Sequence, residues 1–219
     1  MGALERMSTF LGAQTRLRFE ADVTWDAVQP GGEVLEFGGW REVTLLRPDR
    51  VVAESHDRNG GTDRFLFDGT TLTVALLDVG LYAQVERPGN ADAALEYLGD
   101  EVGVPTPLSD LIQPDLYGAV AGRIEQAKRI GRALVGDVAC DHYWYRGAAV
   151  EFEFWIAEGE FPLLRRMVVR YHDGDARPSY RALFSNWDLE PELSTTEFAF
   201  EPAEGAKAVG FDALLGVMQ

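Results

Sequence analysis

Cysteine is nearly absent from this chain. Its 219 residues hold one, Cys140. That excludes an intramolecular disulfide and leaves almost no room for a Cys-built metal site. A lone Cys is compatible with either side of an inner membrane. Long apolar runs are missing too, and none approaches the length of a membrane-crossing helix. Residues 1–14 lack the basic-then-apolar layout of an export leader; a start at Met1-Gly2 is compatible with an engineered replacement for a removed one. Histidine is scarce, with His56, His142 and His172 far apart. A metal site would have to be assembled from distant strands, and no cofactor is expected. Basic residues are in deficit, 20 against 36 acids, for a net charge of −16. That field repels a phosphate backbone, so nucleic acid is not an expected partner. It also disfavours an anionic membrane surface.

Catalytic signatures are missing as well. The chain has no Gly-x-Ser-x-Gly elbow, no phosphate-binding loop and no dinucleotide fingerprint. Adjacent Asp141 and His142 would point to opposite faces of a strand, so they make no natural dyad. Cys140 and His142 share a face, which makes a Cys–His nucleophile conceivable. The plainer reading is a buried Cys beside a hydrogen-bonded His. Asp173-Gly174-Asp175 lacks the further oxygen ligands of a calcium loop and reads as a polar hairpin. Glu151 and Glu153 sit two apart on one face, opposite Phe152 and Phe154. They read as solvated strand positions, since glycosidase carboxylates come from separate elements. No enzyme is expected.

What is present is strand grammar. A charged fraction of 26% and an apolar fraction of 46% are ordinary for a folded domain. Residues 4–14 read as an amphipathic helix. From Leu17, apolar residues alternate with polar ones as Leu17, Phe19, Ala21, Val23 and Trp25, the period of a half-buried strand. A second long strand spans about 34–46, with Leu35, Phe37, Val43 and Leu45 as its dry set and Gly38-Gly39 as a bulge or bend. Turn signals at Pro48-Asp49, Asn59-Gly60-Gly61, Asp68-Gly69 and Gly80 divide four more strands. The pattern breaks at residues 90–122. Asn90 caps a helix there that carries Leu95 and Leu98 on its stripe, and short helical pieces follow, interrupted by prolines. Five more strands run from about 127 to 189, then a short one at 198–200 and a C-terminal helix at 210–218.

About eleven strands with hairpin-length links predict a mainly β (α+β) fold. Its form is one curled antiparallel sheet in an unclosed half-barrel, with the insert at about 90–122 as a helical lid over its concave side. The chain reads as a single domain over residues 1–219. Arg41 breaks pattern by falling in register with the dry set of its strand. Either it binds inside the concavity, or it bonds the helical insert, or a bulge at Gly38-Gly39 returns it to the wet side. Trp25, Phe37, Phe65, Phe67, Phe152, Phe154 and Phe184 fall on dry faces. With Arg41, Leu95 and Leu98 they are the candidate ligand-binding residues, lining an apolar cavity on the order of 300–1,000 Å³.

Four segments together resemble a known family. They are Arg47-Pro48-Asp49-Arg50, Phe67-Asp68-Gly69-Thr70-Thr71-Leu72, Gly136-Asp137-Val138-Ala139-Cys140-Asp141-His142 and Phe198-Ala199-Phe200-Glu201-Pro202. In order and spacing they look like the predicted periplasmic proteins grouped as DUF2092, over residues 4–209. That resemblance implies a LolA/LolB-like lipoprotein-carrier fold and a periplasmic, non-enzymatic binder or carrier of an acyl chain, lipid or lipoprotein, with transient membrane or envelope-protein contact. It also implies that an arginine inside the sheet holds the lid, for which Arg41 is the candidate. An interaction module with a filled core, and less readily a Cys/His hydrolase, are the alternatives.

Overall fold

The computed structural model describes residues 2–104, 108–172 and 176–218. Asp173-Gly174-Asp175, Pro105 and Pro107 lie outside the described residues. Among the described residues there are five α-helices: α1 (Gly2–Gly12), α2 (Ala91–Tyr97), α3 (Ser109–Ile112), α4 (Leu116–Ala121) and α5 (Phe211–Met218). The strands are β1 (Arg16–Val28), β2 (Val34–Leu46), β3 (Arg50–Asp57), β4 (Thr62–Phe67), β5 (Thr71–Leu76), β6 (Leu81–Glu86), β7 (Gln126–Val135), β8 (Val138–Arg146), β9 (Val150–Ala157), β10 (Leu164–Tyr171), β11 (Ser179–Asp188) and β12 (Lys207–Ala208). They hydrogen-bond in one open order, β12-β6-β5-β4-β3-β2-β1-β11-β10-β9-β8-β7. The expected unclosed sheet is therefore present.

Among the described residues the sheet has twelve strands and is mixed. The twelfth is β12, which runs parallel to β6 through Lys207 opposite Leu81 and Ala208 opposite Tyr82. The strand expected at 198–200 does not form. Ser194 and Glu197 make a reciprocal capping box that winds Thr195–Phe198 into a 3₁₀ turn. Phe198 is buried by that turn, and Phe200 packs on Tyr82 with ring centroids 5.0 Å apart. The Phe-Ala-Phe alternation there reflects two separate packing contacts and no pleat.

Chain contacts divide into two compact units. Unit 1 comprises residues 1–14, 21–39 and 113–185. Its helix α1 buries Leu4, Met7 and Leu11, spaced three and four apart on one face. Each such burial contributes roughly 1.5–3 kcal/mol. The helix α1 packs on α4 and β9. Ser8, also buried, accepts from the Tyr117 backbone N–H at 2.9 Å. Gly12 lies against the Pro114 carbonyl so closely that an added Cβ would come within 2.0 Å of it. The hairpin of β7 and β8 turns at Gly136, whose φ of 57° lies in the left-handed region. A bulge between Arg129 and Gly131 shifts the register of that pair.

Unit 2 comprises residues 15–20, 40–112 and 186–219. Strands β3 to β6 form an antiparallel meander. Helix α2 is capped by Asn90, whose Oδ1 accepts from the Ala93 N–H at 2.8 Å. A π-helical turn (Leu98–Val102) follows and ends on Gly103 in the left-handed region. The insert thus holds α2, this turn, α3 and α4.

Substituting Gly12 by Ala drives a Cβ into backbone. It should lower the melting temperature by at least about 4 °C. Gly216 of α5 has open space around it, so Gly216→Ala should raise it by up to about 2 °C. Scanning calorimetry of the two variants checks this pair, and equal shifts would refute the packing argument at Gly12.

A two-faced sheet segment as candidate functional site

Strands β8, β9 and β10 of unit 1 carry opposite chemistry on their two faces. Their register sets Trp144 opposite Glu153 and Arg146 opposite Glu151, with Tyr143 opposite Phe154 and Tyr145 opposite Phe152. Across β9 and β10, Met167 faces Phe154 and Val169 faces Phe152. Because side chains alternate, Glu151, Glu153 and Trp155 share one face while Phe152, Phe154 and Ile156 share the other.

The first face is an ionic network. His142 Nε2 lies 2.7 Å from Glu153 Oε2, and Arg170 donates to Glu153 Oε1. Glu151 pairs with Arg146 at 3.7 Å and with His172 at 3.5 Å. His142 stacks on Trp155, ring centroids 4.0 Å apart, and the Arg166 guanidinium sits 4.8 Å from the Trp155 ring centroid. Glu151 and Glu153 are therefore half-buried and partnered; they are not the solvated positions expected. Burial pushes the Glu153 carboxyl up, but the bonds from Arg170 and His142 outweigh it and hold the group below its ordinary value.

The second face is aromatic. Phe152 stacks on Tyr145 at 4.9 Å and lies 5.1 Å from Phe154. Tyr143 continues the run at 6.1 Å from Tyr145. Phe154, Phe184 and Tyr145 are buried, whereas Tyr143 and Phe152 stay half-exposed. Asp26 accepts from Ser179 and Arg181, so Trp25, its neighbour in β1, points the other way. Trp25 stacks on Phe37 at 6.2 Å. Leu35 and Phe37, assigned to a dry set by alternation, are exposed at 48% and 37%. Alternation reports which residues share a face. It does not report whether anything covers that face.

The expected ligand-binding residues divide between the units. Trp25, Phe37, Phe152, Phe154 and Phe184 belong to unit 1; Arg41, Phe65, Phe67, Leu95 and Leu98 belong to unit 2. Phe65 is half-buried, and Phe67, Leu95 and Leu98 are buried. Arg41 donates to Asp57 at 2.8 Å and to the Trp40 carbonyl at 3.1 Å. Arg47 bonds the helical insert through the Ile112 carbonyl at 2.7 Å, and Arg87 bonds it through the Glu101 carboxylate at 3.2 Å. Asp92 of α2 sits near Arg47, and burial raises its carboxyl against that attraction. Sequence reasoning missed Tyr143 and Tyr145. Their signal was their odd spacing across the Gly147 hairpin from Phe152 and Phe154.

Cys140 is fully buried and its thiol contacts the Val138 carbonyl at 3.5 Å. Burial pushes that thiol above its ordinary value. His142 shares its strand face but turns Nε2 to Glu153. A thiolate nucleophile is disfavoured there. Among the described residues no cluster of His, Cys, Asp or Glu is arranged to hold a metal. Among the described residues no helix is long and apolar enough to cross a membrane. A shallow groove of about 540 Å³ lies beside α1, lined by Arg6, Thr9, Phe10, Glu160 and Pro162 among others.

The sequence matches the family described as predicted periplasmic protein (DUF2092) over residues 1–212. The chain belongs to the DUF2092 family. Among solved structures, this DUF2092 chain is similar to the Mycobacterium tuberculosis lipoprotein LppX, at 13% identity and a TM-score of 0.52, covering 88% of this chain and 97% of that one. LprF from Mycobacterium bovis is similar at 17% identity and a TM-score of 0.50, covering 88% and 94%. A LolA superfamily protein, NE2245 from Nitrosomonas europaea, is a more distant match at 11% identity and 0.41, covering 91% and 96%. No curated protein matches the chain at a significant level.

Two carboxylates should give pH signatures of opposite sign. Asp63 of β4 is raised to about 6 by burial and by Asp57 and Asp78, against Arg41. The native state therefore holds a proton there that the unfolded state has lost, and stability falls as pH rises from about 4 through 6. Asp63→Asn should raise the melting temperature by about 2–4 °C at pH 7.5 and lose that advantage near pH 4. The Glu153 contribution is present above the unfolded carboxylate range and disappears as pH falls through its lowered native value. Glu153→Gln should therefore be destabilised at pH 7 and approach the parent as the solution is acidified toward pH 3. Melting curves from pH 3 to 8 test both, and pH-independent differences would contradict both assignments.

Proposed function

We propose that this DUF2092 protein is a periplasmic, non-enzymatic binder or carrier of a hydrophobic ligand, an acyl chain or lipid, held on the aromatic face of unit 1. The observation that carries this reading is the run from exposed to buried aromatic side chains on one side of the strands. Phe37, Trp25, Tyr143 and Phe152 are accessible at its edge, and Tyr145, Phe154 and Phe184 are buried beyond them. An apolar surface left partly in water is stabilised by burying it against an apolar ligand. The family description supports the location. The fold shared with a mycobacterial lipoprotein is compatible with the reading and does not transmit an activity.

A second reading is favoured by one feature. Strand β7 ends the sheet order, with Leu134 and Ile130 exposed at 72% and 50%. An edge of that kind suits strand addition by a protein partner.

Titration with N-phenyl-1-naphthylamine, a neutral apolar probe, separates the two readings. Saturable fluorescence enhancement is expected, weakened roughly tenfold by Phe152→Ala and unaffected by Leu134→Ser. Absence of a saturable signal, together with no co-purifying lipid in native mass spectrometry, would refute ligand binding.

A further inference from the structure

The aromatic face contains a buried polar group without a partner. Tyr145 is wholly buried, and its hydroxyl finds no hydrogen-bond partner among the described residues. A buried hydroxyl without a partner costs about 1–3 kcal/mol. Its ring already packs against Tyr143, Phe152 and Phe154. A phenylalanine would make the same ring contacts without that cost.

We propose that the Tyr145 hydroxyl is the polar anchor of the apolar site, donating a hydrogen bond to the carbonyl oxygen of a neutral acyl ester. This rests on the reading of unit 1 as a hydrophobic-ligand site. The ester is chosen over the free fatty acid by the surroundings. The ionisable groups that act on Tyr145 are two further phenols, Tyr143 and Tyr117, and burial itself drives its proton to stay on. A neutral donor in an apolar surround suits a neutral acceptor. A carboxylate brought there would lose its hydration with one phenol in exchange.

Access runs through α4, the short helix that carries Tyr117. Of its six residues only Leu116 is buried, and it is tied to α1 through the bond from the Tyr117 N–H to Ser8. A segment with so little buried apolar surface opens at low cost. Displacing it uncovers the phenol, and the ester carbonyl then supplies the missing acceptor.

Three probes and Tyr145→Phe test the assignment. The methyl ester of cis-parinaric acid carries the carbonyl, free cis-parinaric acid carries a carboxylate, and N-phenyl-1-naphthylamine carries neither. Tyr145→Phe should weaken the ester about tenfold, leave the naphthylamine within about twofold, and melt at or above the parent temperature. An unchanged ester affinity, or an equal loss for ester and naphthylamine, overturns the anchor. A loss for the acid that exceeds the loss for the ester overturns the choice of a neutral ligand. Parent protein that binds naphthylamine but not the ester keeps the apolar site and removes the anchor. Parent protein that binds none of the three removes both.

Discussion

Successive side chains of an extended strand point to opposite faces, and strand β9 carries that constraint through its whole length. Glu151, Glu153 and Trp155 stand on one side; Phe152, Phe154 and Ile156 stand on the other. Neither set is stable by itself in this setting. The carboxylates need cations when half-buried, and the rings need apolar cover. The neighbouring strands meet both needs at once, because the register that brings Arg146 opposite Glu151 also brings Tyr145 opposite Phe152. A slip of one residue would set rings against carboxylates on every row. The register of unit 1 is therefore fixed from both faces.

The same logic explains what each charged group does. Arg41 is drawn to Asp57, and together they act in opposite directions on the half-buried Asp63. Arg47 instead spans to the Ile112 carbonyl, an acceptor at the end of α3 that the helix itself leaves unpaired. A guanidinium there satisfies a backbone group and lies near the Asp92 carboxylate of α2. Both arginines are partly desolvated, yet one serves a strand pair and the other serves the insert. Residue type is the same for the two; the available partner differs.

That difference marks how far the sequence could be read. Local periodicity identified the strand run, the helical break near residues 90–122 and the terminal helices, because each depends on neighbours within a few positions. The fully buried set Leu17, Phe19, Ala21 and Val23 follows the alternation closely. Features that depend on distant strands were not legible. The partners of Glu153 come from β8 and β10, so its spacing from Glu151 gave no hint of an ionic network. The exposure of Leu35 and Phe37 depends on what covers a face, which alternation does not encode. Strand β12 is two residues long, too short to show any period, and the capping box at Ser194 overrode the Phe-Ala-Phe pattern. Arg47 lay inside a turn motif, where no strand pattern could flag it.

The chain's charge bears on what such a site can hold. With a net charge of −16, the field around the protein opposes approach of an anion, and the effect reaches about 10 Å at 0.1 M salt. A fatty acid would meet that field before it met any ring. A neutral acylated molecule would not. Its recognition then has to come from apolar area, which the aromatic rows supply, and from a hydrogen bond that needs no charge. Among the described residues the phenol of Tyr145 is the buried donor placed within those rows, and it lies on the face of β8 opposite His142 and the ionic network. On β9 the pleat keeps Glu151 and Glu153 on one face and Phe152 and Phe154 on the other.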